Sequence, residues 1–327
     1  MNDEFFIRRT FELAEKARGL TWPNPLVGSV IVKDGKIIGE GFHKKAGTDH
    51  AELDALKNCS ESVQGATVYV NLEPCCHTNK LTAPCAQRLI QDKVKKVVIS
   101  NIDPNPSVSG KGIELLKNQG IEVVHGILKE EGEKLNEVFF LSQRLKRPFI
   151  HLKLASTLDG KIARPDGESQ WITGEKARHH VHVLRSQSQA VMVGGETARV
   201  DHPKLNVRLP DYQGPQPLRV IISQSGNLPP QPENTLVYSS IEEAMKNLFE
   251  RKIISVFLEG GSNLAGSFFK LNLIDRVSLF LNPSFLGSGI PSLGDLGIQS
   301  LNERPKLTQI TSNWIGEDLL ISGRIQE

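Results

Sequence analysis

The chain has 327 residues, 39% of them apolar and 23% charged, a balance that excludes intrinsic disorder and collagen. Its 39 basic and 37 acidic side chains leave a net charge of +2; the first 147 residues hold 21 basic and 19 acidic groups and the remainder 18 of each, so neither part has the basic footprint of a nucleic-acid binder. No apolar run approaches the ~18 to 20 residues of a membrane span, and the acidic start Met1-Asn2-Asp3-Glu4 is unlike a secretory signal, so a cytoplasmic protein without nucleic-acid or membrane partners is expected.

Phe5, Phe6, Phe11, Leu13, Ala14 and Ala17 keep a helical period over residues 4–20, which Thr21-Trp22-Pro23-Asn24-Pro25 brings to an end. Residues 27–32 and 36–41, joined at Asp34-Gly35, form a predicted β-hairpin. Helices over 49–58, 84–91, 112–118 and 129–141 then alternate with strands over 66–72, 94–100 and 121–124, the pattern of a three-layer α/β domain. The basic stretch Gln143-Arg144-Leu145-Lys146-Arg147-Pro148 breaks the pattern, and the expected domains are residues 1–145 and 146–327. Beyond it, strands are predicted over 149–155, 190–193, 218–222, 235–238, 253–258, 276–281 and 318–321, with helices over 176–187, 241–249 and 264–271, again α/β.

All four cysteines, Cys59, Cys75, Cys76 and Cys85, fall in the first part. In a cytoplasmic protein such clustering points to metal or catalysis rather than disulfides. His50-Ala51-Glu52 opens one predicted helix, Glu73-Pro74-Cys75 follows a strand, and Pro84-Cys85 opens the next helix. A zinc deaminase needs one His and two Cys thiolates on the ion, an open fourth position, and a nonligating Glu two residues after the His to move protons. His50, Cys75, Cys85 and Glu52 match those roles. The alternative is a closed structural zinc with Cys76 as fourth ligand, although neighbouring residues leaving a strand tend to point apart. Cys59 is expected to be a packed free thiol.

In the second part Gly260-Gly261-Ser262-Asn263 lies between a strand and a helix, either a phosphate-binding turn or simply a tight one. His179-His180-x-His182 is expected on a solvated helix face.

The segments Pro23-Asn24-Pro25-Leu26-Val27-Gly28, Gly39-Glu40-Gly41-Phe42-His43-Lys44-Lys45-Ala46-Gly47, His50-Ala51-Glu52, Leu72-Glu73-Pro74-Cys75 and Asp103-Pro104-Asn105-Pro106 resemble the deaminase domain of the bifunctional riboflavin-biosynthesis deaminase/reductase family. Residues 152–161, 167–173, Val193-Gly194-Gly195-Glu196-Thr197, 201–208 and Leu258-Glu259-Gly260-Gly261 resemble its reductase half. The resemblance implies an N-terminal cytidine-deaminase-like three-layer domain and a C-terminal dihydrofolate-reductase-like α/β domain. It also implies Zn²⁺ and NADPH as cofactors and a small-molecule pyrimidine ribosyl phosphate as substrate, deaminated at C2 and then reduced from ribosyl to ribityl; a homo-oligomer is expected. Carried over by position, His50, Cys75 and Cys85 are zinc ligands, Glu52 the acid/base, and Asn24 and His43 substrate contacts. Ser169, Arg185, Leu205, Arg208 and Glu259 are reductase substrate contacts, Arg185 and Arg208 answering the phosphate. Ala155, Trp171, Thr197, Asp201, Gly261, Ser262, Asn263 and Leu264 are cofactor contacts, and Asp201 either relays a proton as well or caps a turn.

Two departures stand out. The Cys75-to-Cys85 loop is one residue longer than the family's and lacks its glycine, leaving Lys80 and Thr82 as candidates to reach substrate. After Ile222, where the family carries an acidic residue and a nearby Arg, the chain reads Ser223-Gln224-Ser225-Gly226-Asn227, with no Lys or Arg between Val220 and Met245. The competing readings are a nucleic-acid base deaminase with an accessory domain, which the neutral halves and 6% aromatics oppose, and a noncatalytic zinc-stabilised binding protein, which leaves Glu52 without a purpose.

Overall fold

The computed structural model describes residues 2–76, 84–106 and 108–326; Lys80 and Thr82 lie outside the described residues. Two units separate, Met1–Lys146 and Arg147–Glu327. In the first, chain order runs α1 (Asp3–Glu15), β1 (Gly28–Lys33), β2 (Lys36–Phe42), α2 (Ala51–Lys57), β3 (Thr67–Leu72), α3 (Cys85–Gln91), β4 (Lys96–Asn101), α4 (Lys111–Asn118), β5 (Glu122–His125), α5 (Lys129–Leu135) and α6 (Glu137–Leu145). The sheet order is β2-β1-β3-β4-β5, with β1 antiparallel to both neighbours and β3, β4 and β5 parallel. Alternation along the strands sorts the core into two layers. Ile31, Val68, Val70, Val97 and Ile99 pack with Ala55, Ala86, Leu89 and Leu116 of α2 to α4, while Val30, Val32, Tyr69 and Val98 pack with Phe6, Ile7 and Leu13 of α1.

The second unit contains β6 (Phe149–Thr157), β7 (Lys161–Ala163), α7 (Glu175–Ser186), β8 (Ala190–Gly194), α8 (Gly195–Val200), β9 (Leu218–Ile222), β10 (Thr235–Tyr238), α9 (Ile241–Glu250), β11 (Ser255–Leu258), α10 (Ser262–Lys270), β12 (Arg276–Asn282), β13 (Ile290–Pro291), β14 (Leu307–Ile315) and β15 (Asp318–Ile325). Its eight-stranded sheet has the order β10-β9-β8-β11-β6-β12-β15-β14, parallel through β12 and antiparallel at β15 and β14. The parallel strands are covered on both faces, which is why they read as apolar runs. Met192, Val220, Val256 and Leu258 meet α9 and α10, and Val191, Val193, Ile221 and Phe257 meet α7 and α8.

Three expectations need correction. The helix predicted over 129–141 breaks at Asn136, because the carboxamide of that residue is drawn onto Leu26, accepting from its N–H and donating to its carbonyl, both at 2.8 Å. The polar edge strand β14, too rich in Thr, Ser, Gln and Asn for alternation to show, and the short α8 were not predicted. The histidine run is not a solvated face: His180 stacks edge-on to Phe280 at 5.9 Å, and the half-buried His182 accepts from the Arg208 N–H at 3.3 Å.

The helix α2, which carries His50 and Glu52 at its start, lies directly on the backbone of β2. A Cβ on Gly41 would stand 2.2 Å from the Ala55 nitrogen and 2.8 Å from the Ala51 carbonyl oxygen, so only glycine admits this approach. Gly41→Ala is expected to push α2 off the sheet, destabilise the first unit by about 1 to 3 kcal/mol, and weaken metal retention with it. Thermal unfolding and elemental analysis of the purified variant check this; wild-type values in both would show that the helix can give way freely.

Candidate active sites

His50 precedes α2 in an extended conformation, Cys85 opens α3, and Cys75 stands on the segment leaving β3. The His50 Nδ1 lies 3.6 Å from Cys75 Sγ and 3.3 Å from Cys85 Sγ, and the three ligand atoms all fall within 4.8 Å of one another. Tetrahedral zinc, with nitrogen at ~2.1 Å and sulfur at ~2.3 Å, spaces its ligand atoms about 3.6 to 3.8 Å apart, so the donor set fits zinc in kind and in spacing. Cys76 is outside this group, among the described residues. The two thiols share a hydrogen bond and their proton affinities diverge. That bond and His50 pull Cys75 down to about 3, against burial, while the same bond and burial drive Cys85 well up.

Glu52 is 3% exposed on the first turn of α2. Burial raises its carboxyl pKa; His50 opposes this and the Cys75 charge adds to it. His43, also buried, holds Asn24 through Nε2 at 3.0 Å and the Asp49 carbonyl through Nδ1 at 2.9 Å. A carbonyl only accepts, so the network assigns the proton to Nδ1 and makes Nε2 the acceptor for the Asn24 carboxamide N–H. The opposite wall depends on Glu73, a buried carboxylate that accepts from the N–H groups of Asp103 (3.2 Å), Gly110 (2.9 Å), Gly112 (2.9 Å) and Ile113 (3.3 Å). It thereby fixes Asp103, Asn105 and Val108 along a cavity of about 240 Å³ that Asn24, His43, His50, Glu52 and Cys75 also line.

In the second unit a cavity of about 640 Å³ opens at the C-terminal ends of β6, β8 and β11, where open α/β sheets receive ligands. The register that sets Leu258 opposite Leu152 brings Glu259 beside Lys153. Arg185 grips Glu259 by two parallel bonds, one of them 2.9 Å from Nη2, and its Nη1 donates to the Asn206 carbonyl at 3.0 Å. Burial would raise Glu259, but Arg185 and Lys153 overcome it and hold the carboxyl below its usual range. Lys153 is lowered by burial, with Glu259 opposing. Arg208 is exposed and donates from Nη1 to Asn206 Oδ1 at 2.8 Å.

Residues 148–321 match the RibD C-terminal domain, and residues 1–101 match the cytidine and deoxycytidylate deaminase zinc-binding region. The riboflavin biosynthesis protein RibD of Aquifex aeolicus is 39% identical over 98% of this chain and 97% of its own, and that of Escherichia coli is 36% identical over 98% and 99%. Among solved structures, RibD of Acinetobacter baumannii superposes with a TM-score of 0.92 at 36% identity, and the deaminase/reductase of Thermotoga maritima with 0.89 at 38%, each covering 99% of both chains. The chain belongs to the RibD family. It is a bifunctional deaminase and reductase of riboflavin biosynthesis, with a zinc-binding deaminase region and a dihydrofolate-reductase-like domain.

Within this RibD-family chain, Ser169, Arg185, Leu205, Arg208 and Glu259 line the second cavity, as do Ala155, Trp171, Thr197, Asp201 and Gly261. Ser262, Asn263 and Leu264 do not; they form the first turn of α10 behind the wall. Cys85 sits behind Cys75, outside the lining of the first cavity. Lys153 and Glu73 carry no role in the sequence pattern alone, and Arg185, expected at the phosphate, lines the cavity while bonded to Glu259. A charged residue inside an apolar strand, as in Leu152-Lys153-Leu154, was the available signal for Lys153.

Two outcomes follow from these geometries. Cys85→Ala is expected to lose zinc by elemental analysis while Cys76→Ser keeps it; loss in both would make Cys76 a ligand. Arg185→Met leaves Glu259 buried and unpaired and is expected to cost about 3 to 5 kcal/mol. Because the Glu259 carboxyl is held below its unfolded value of about 4.3, the stabilisation is complete above that pH and lost as pH falls through the folded value. Denaturant unfolding at pH 7 and below pH 4, read by the fluorescence of Trp171 and Trp314, should show the two proteins converging in acid.

Proposed function

We propose that the first site deaminates a diaminopyrimidinone ribosyl phosphate at C2 and that the second reduces the ribosyl group of the product with NADPH. The observation that carries this reading is the three-donor set with the buried, nonligating Glu52 beside it, opening on a cavity of substrate size. A closed structural site has no use for such a glutamate. His50, Cys75 and Cys85 would hold a zinc ion, which would supply the Lewis acidity that makes the attacking water easier to deprotonate. Glu52 takes a proton from the attacking water and returns it to the departing amino group, so that water enters and ammonia leaves. The raised carboxyl pKa suits a group that must be protonated halfway through. Asn24, whose Nδ2 is committed to His43, presents its carbonyl oxygen to a ring N–H.

At the second site a bound NADPH would supply the hydride for C1′ of the ring-opened, imine-like sugar, whose nitrogen would take a proton. Alignment is the main demand on the protein. Ala155, Trp171, Thr197, Asp201 and Gly261 offer the cofactor wall and Ser169, Leu205 and Glu259 the substrate wall. Of the arginines lining the cavity, Arg185 is engaged by Glu259 and Arg178 by Trp171 and the Thr173 carbonyl, which leaves the exposed Arg208 for the sugar phosphate.

The test is to incubate the full chain with the diaminopyrimidinone ribosyl phosphate, with and without NADPH, following ammonia and cofactor absorbance together. Ammonia release without NADPH, followed by NADPH oxidation, is the expected order. Glu52→Gln should retain zinc, lose ammonia release by about 10²- to 10⁴-fold, and still reduce supplied deaminated intermediate at the wild-type rate. Ammonia release by that variant at the wild-type rate would remove Glu52 from the chemistry.

A further inference from the structure

The loop before α7 brings five successive residues, 169–173, to the wall of the second cavity, Ser169 and the exposed Trp171 among them. A wall made of loop keeps its shape only where other groups hold it. Two groups do so here. From within α7, Arg178 lies 4.6 Å over the Trp171 ring and donates from Nη1 to the Thr173 carbonyl at 2.7 Å. From the antiparallel part of the sheet comes Asp318, the first residue of β15 and wholly buried. Its Oδ2 accepts from the Gly174 N–H at 2.8 Å, where the loop ends and α7 begins, and its Oδ1 accepts from the carboxamide of Asn282, the last residue of β12, also at 2.8 Å. No lysine or arginine is bonded to this carboxylate among the described residues. The N-terminal end of α7 faces it instead, and a carboxylate is costly to bury unless its oxygens are used in this way. The hairpin and the helix approach closely at two points. A Cβ on Gly174 would stand 3.3 Å from Asp318 Oδ2, and one on Gly316, at φ +69° in the turn between β14 and β15, would stand 3.1 Å from the Lys176 Cβ.

Resting on the nicotinamide-cofactor reading of the second site, we propose that Asp318 is a positioning residue for the reduction, fixing residues 169–173 as a preformed wall for the cofactor. It lies outside the cavity lining and acts through the Gly174 N–H on the loop that carries Ser169 and Trp171. The charged groups Lys153 and Glu259 stand on β6 and just after β11 and are not bonded to it. A loop without its brace must be ordered when the cofactor binds, at the expense of affinity. The chemical step keeps its groups in place, so the loss falls on the Michaelis constant and spares kcat.

The experiment uses the full chain as wild type, Asp318→Ala, Asp318→Asn and Asn282→Ala. It measures the NADPH dissociation constant by cofactor fluorescence without turnover, steady-state reduction of supplied deaminated intermediate, ammonia release, and thermal unfolding. Asp318→Ala is expected to raise both the dissociation constant and the Michaelis constant for NADPH by about 10-fold, with kcat within about threefold of wild type and ammonia release unchanged. Asp318→Asn should recover most of the loss, because its carboxamide still accepts from Gly174 and Asn282 can turn its own to accept in exchange. Asn282→Ala removes one of the two bonds and should weaken NADPH by about threefold; it carries the test alone if Asp318→Ala does not fold. A folded Asp318→Ala that binds NADPH as wild type does, or an Asn282→Ala that does so where Asp318→Ala is unfolded, would overturn the positioning role while the cofactor reading stands. So would a fall in kcat with the Michaelis constant unchanged, or an Asp318→Asn variant as weak as Asp318→Ala. A wild type that binds no NADPH would overturn the cofactor reading and this inference with it.

Discussion

The geometry of the deaminase half hangs on a single buried carboxylate. Glu73 follows β3 and gathers four backbone N–H groups from residues 103–113, so the segment that delivers Cys75 and the loop that forms the far wall of the cavity are fixed to one another. Gly112 makes the approach possible, since a Cβ there would stand 2.2 Å from the Pro74 carbonyl oxygen. A carboxylate is costly to bury unless its lone pairs are used, and here the helix N-terminus of α4 uses them. On the near wall the same economy recurs with amides: Asn71 and Asn136 both donate to the Leu26 carbonyl at 2.8 Å, and Leu26 lies two residues from Asn24. The metal ligands are thus held between two polar braces rather than by apolar packing alone.

The reductase half solves a different problem, keeping charge deep in a cavity without neutralising it. Arg185 and Glu259 satisfy each other through parallel bonds, and Lys153 stands close enough to Glu259 to be felt. Such a pair is weak evidence for stability, because its desolvation offsets most of its attraction. Its better-supported use is geometric: Arg185 also holds the Asn206 carbonyl, and His182, one turn earlier, holds the Arg208 N–H. One face of α7 therefore positions the segment that carries Leu205 and Arg208.

Much of this was legible in the residues. The hairpin showed in Asp34-Gly35, the layers in the alternation of apolar residues, and the zinc site in His50-Ala51-Glu52 with one cysteine after a strand and another at a helix start. What escaped reading shares one physical cause, polar side chains spent on distant backbone. Asn136 sits in a helical pattern and is pulled out of it by Leu26, 110 positions away. Glu73 reads as a residue beside a ligand and acts as a cap for α4. Arg185 reads as a substrate contact, and its bond to Glu259, 74 positions on, was not foreseen. Periodicity reports which face is apolar; it carries no information about which long-range partner a polar group will find.

The strand order of the second unit has a bearing on how the protein is made. β15 is the last strand of the eight-stranded sheet to leave the ribosome, yet it lies inside that sheet, between β12 and β14. The five strands of the first unit are all complete by His125. Synthesis can therefore complete the deaminase sheet first, while in the second unit the edge of β12 stays open and β14 stays unattached until residues 318–325 arrive. Chaperone demand during translation should fall on that interval.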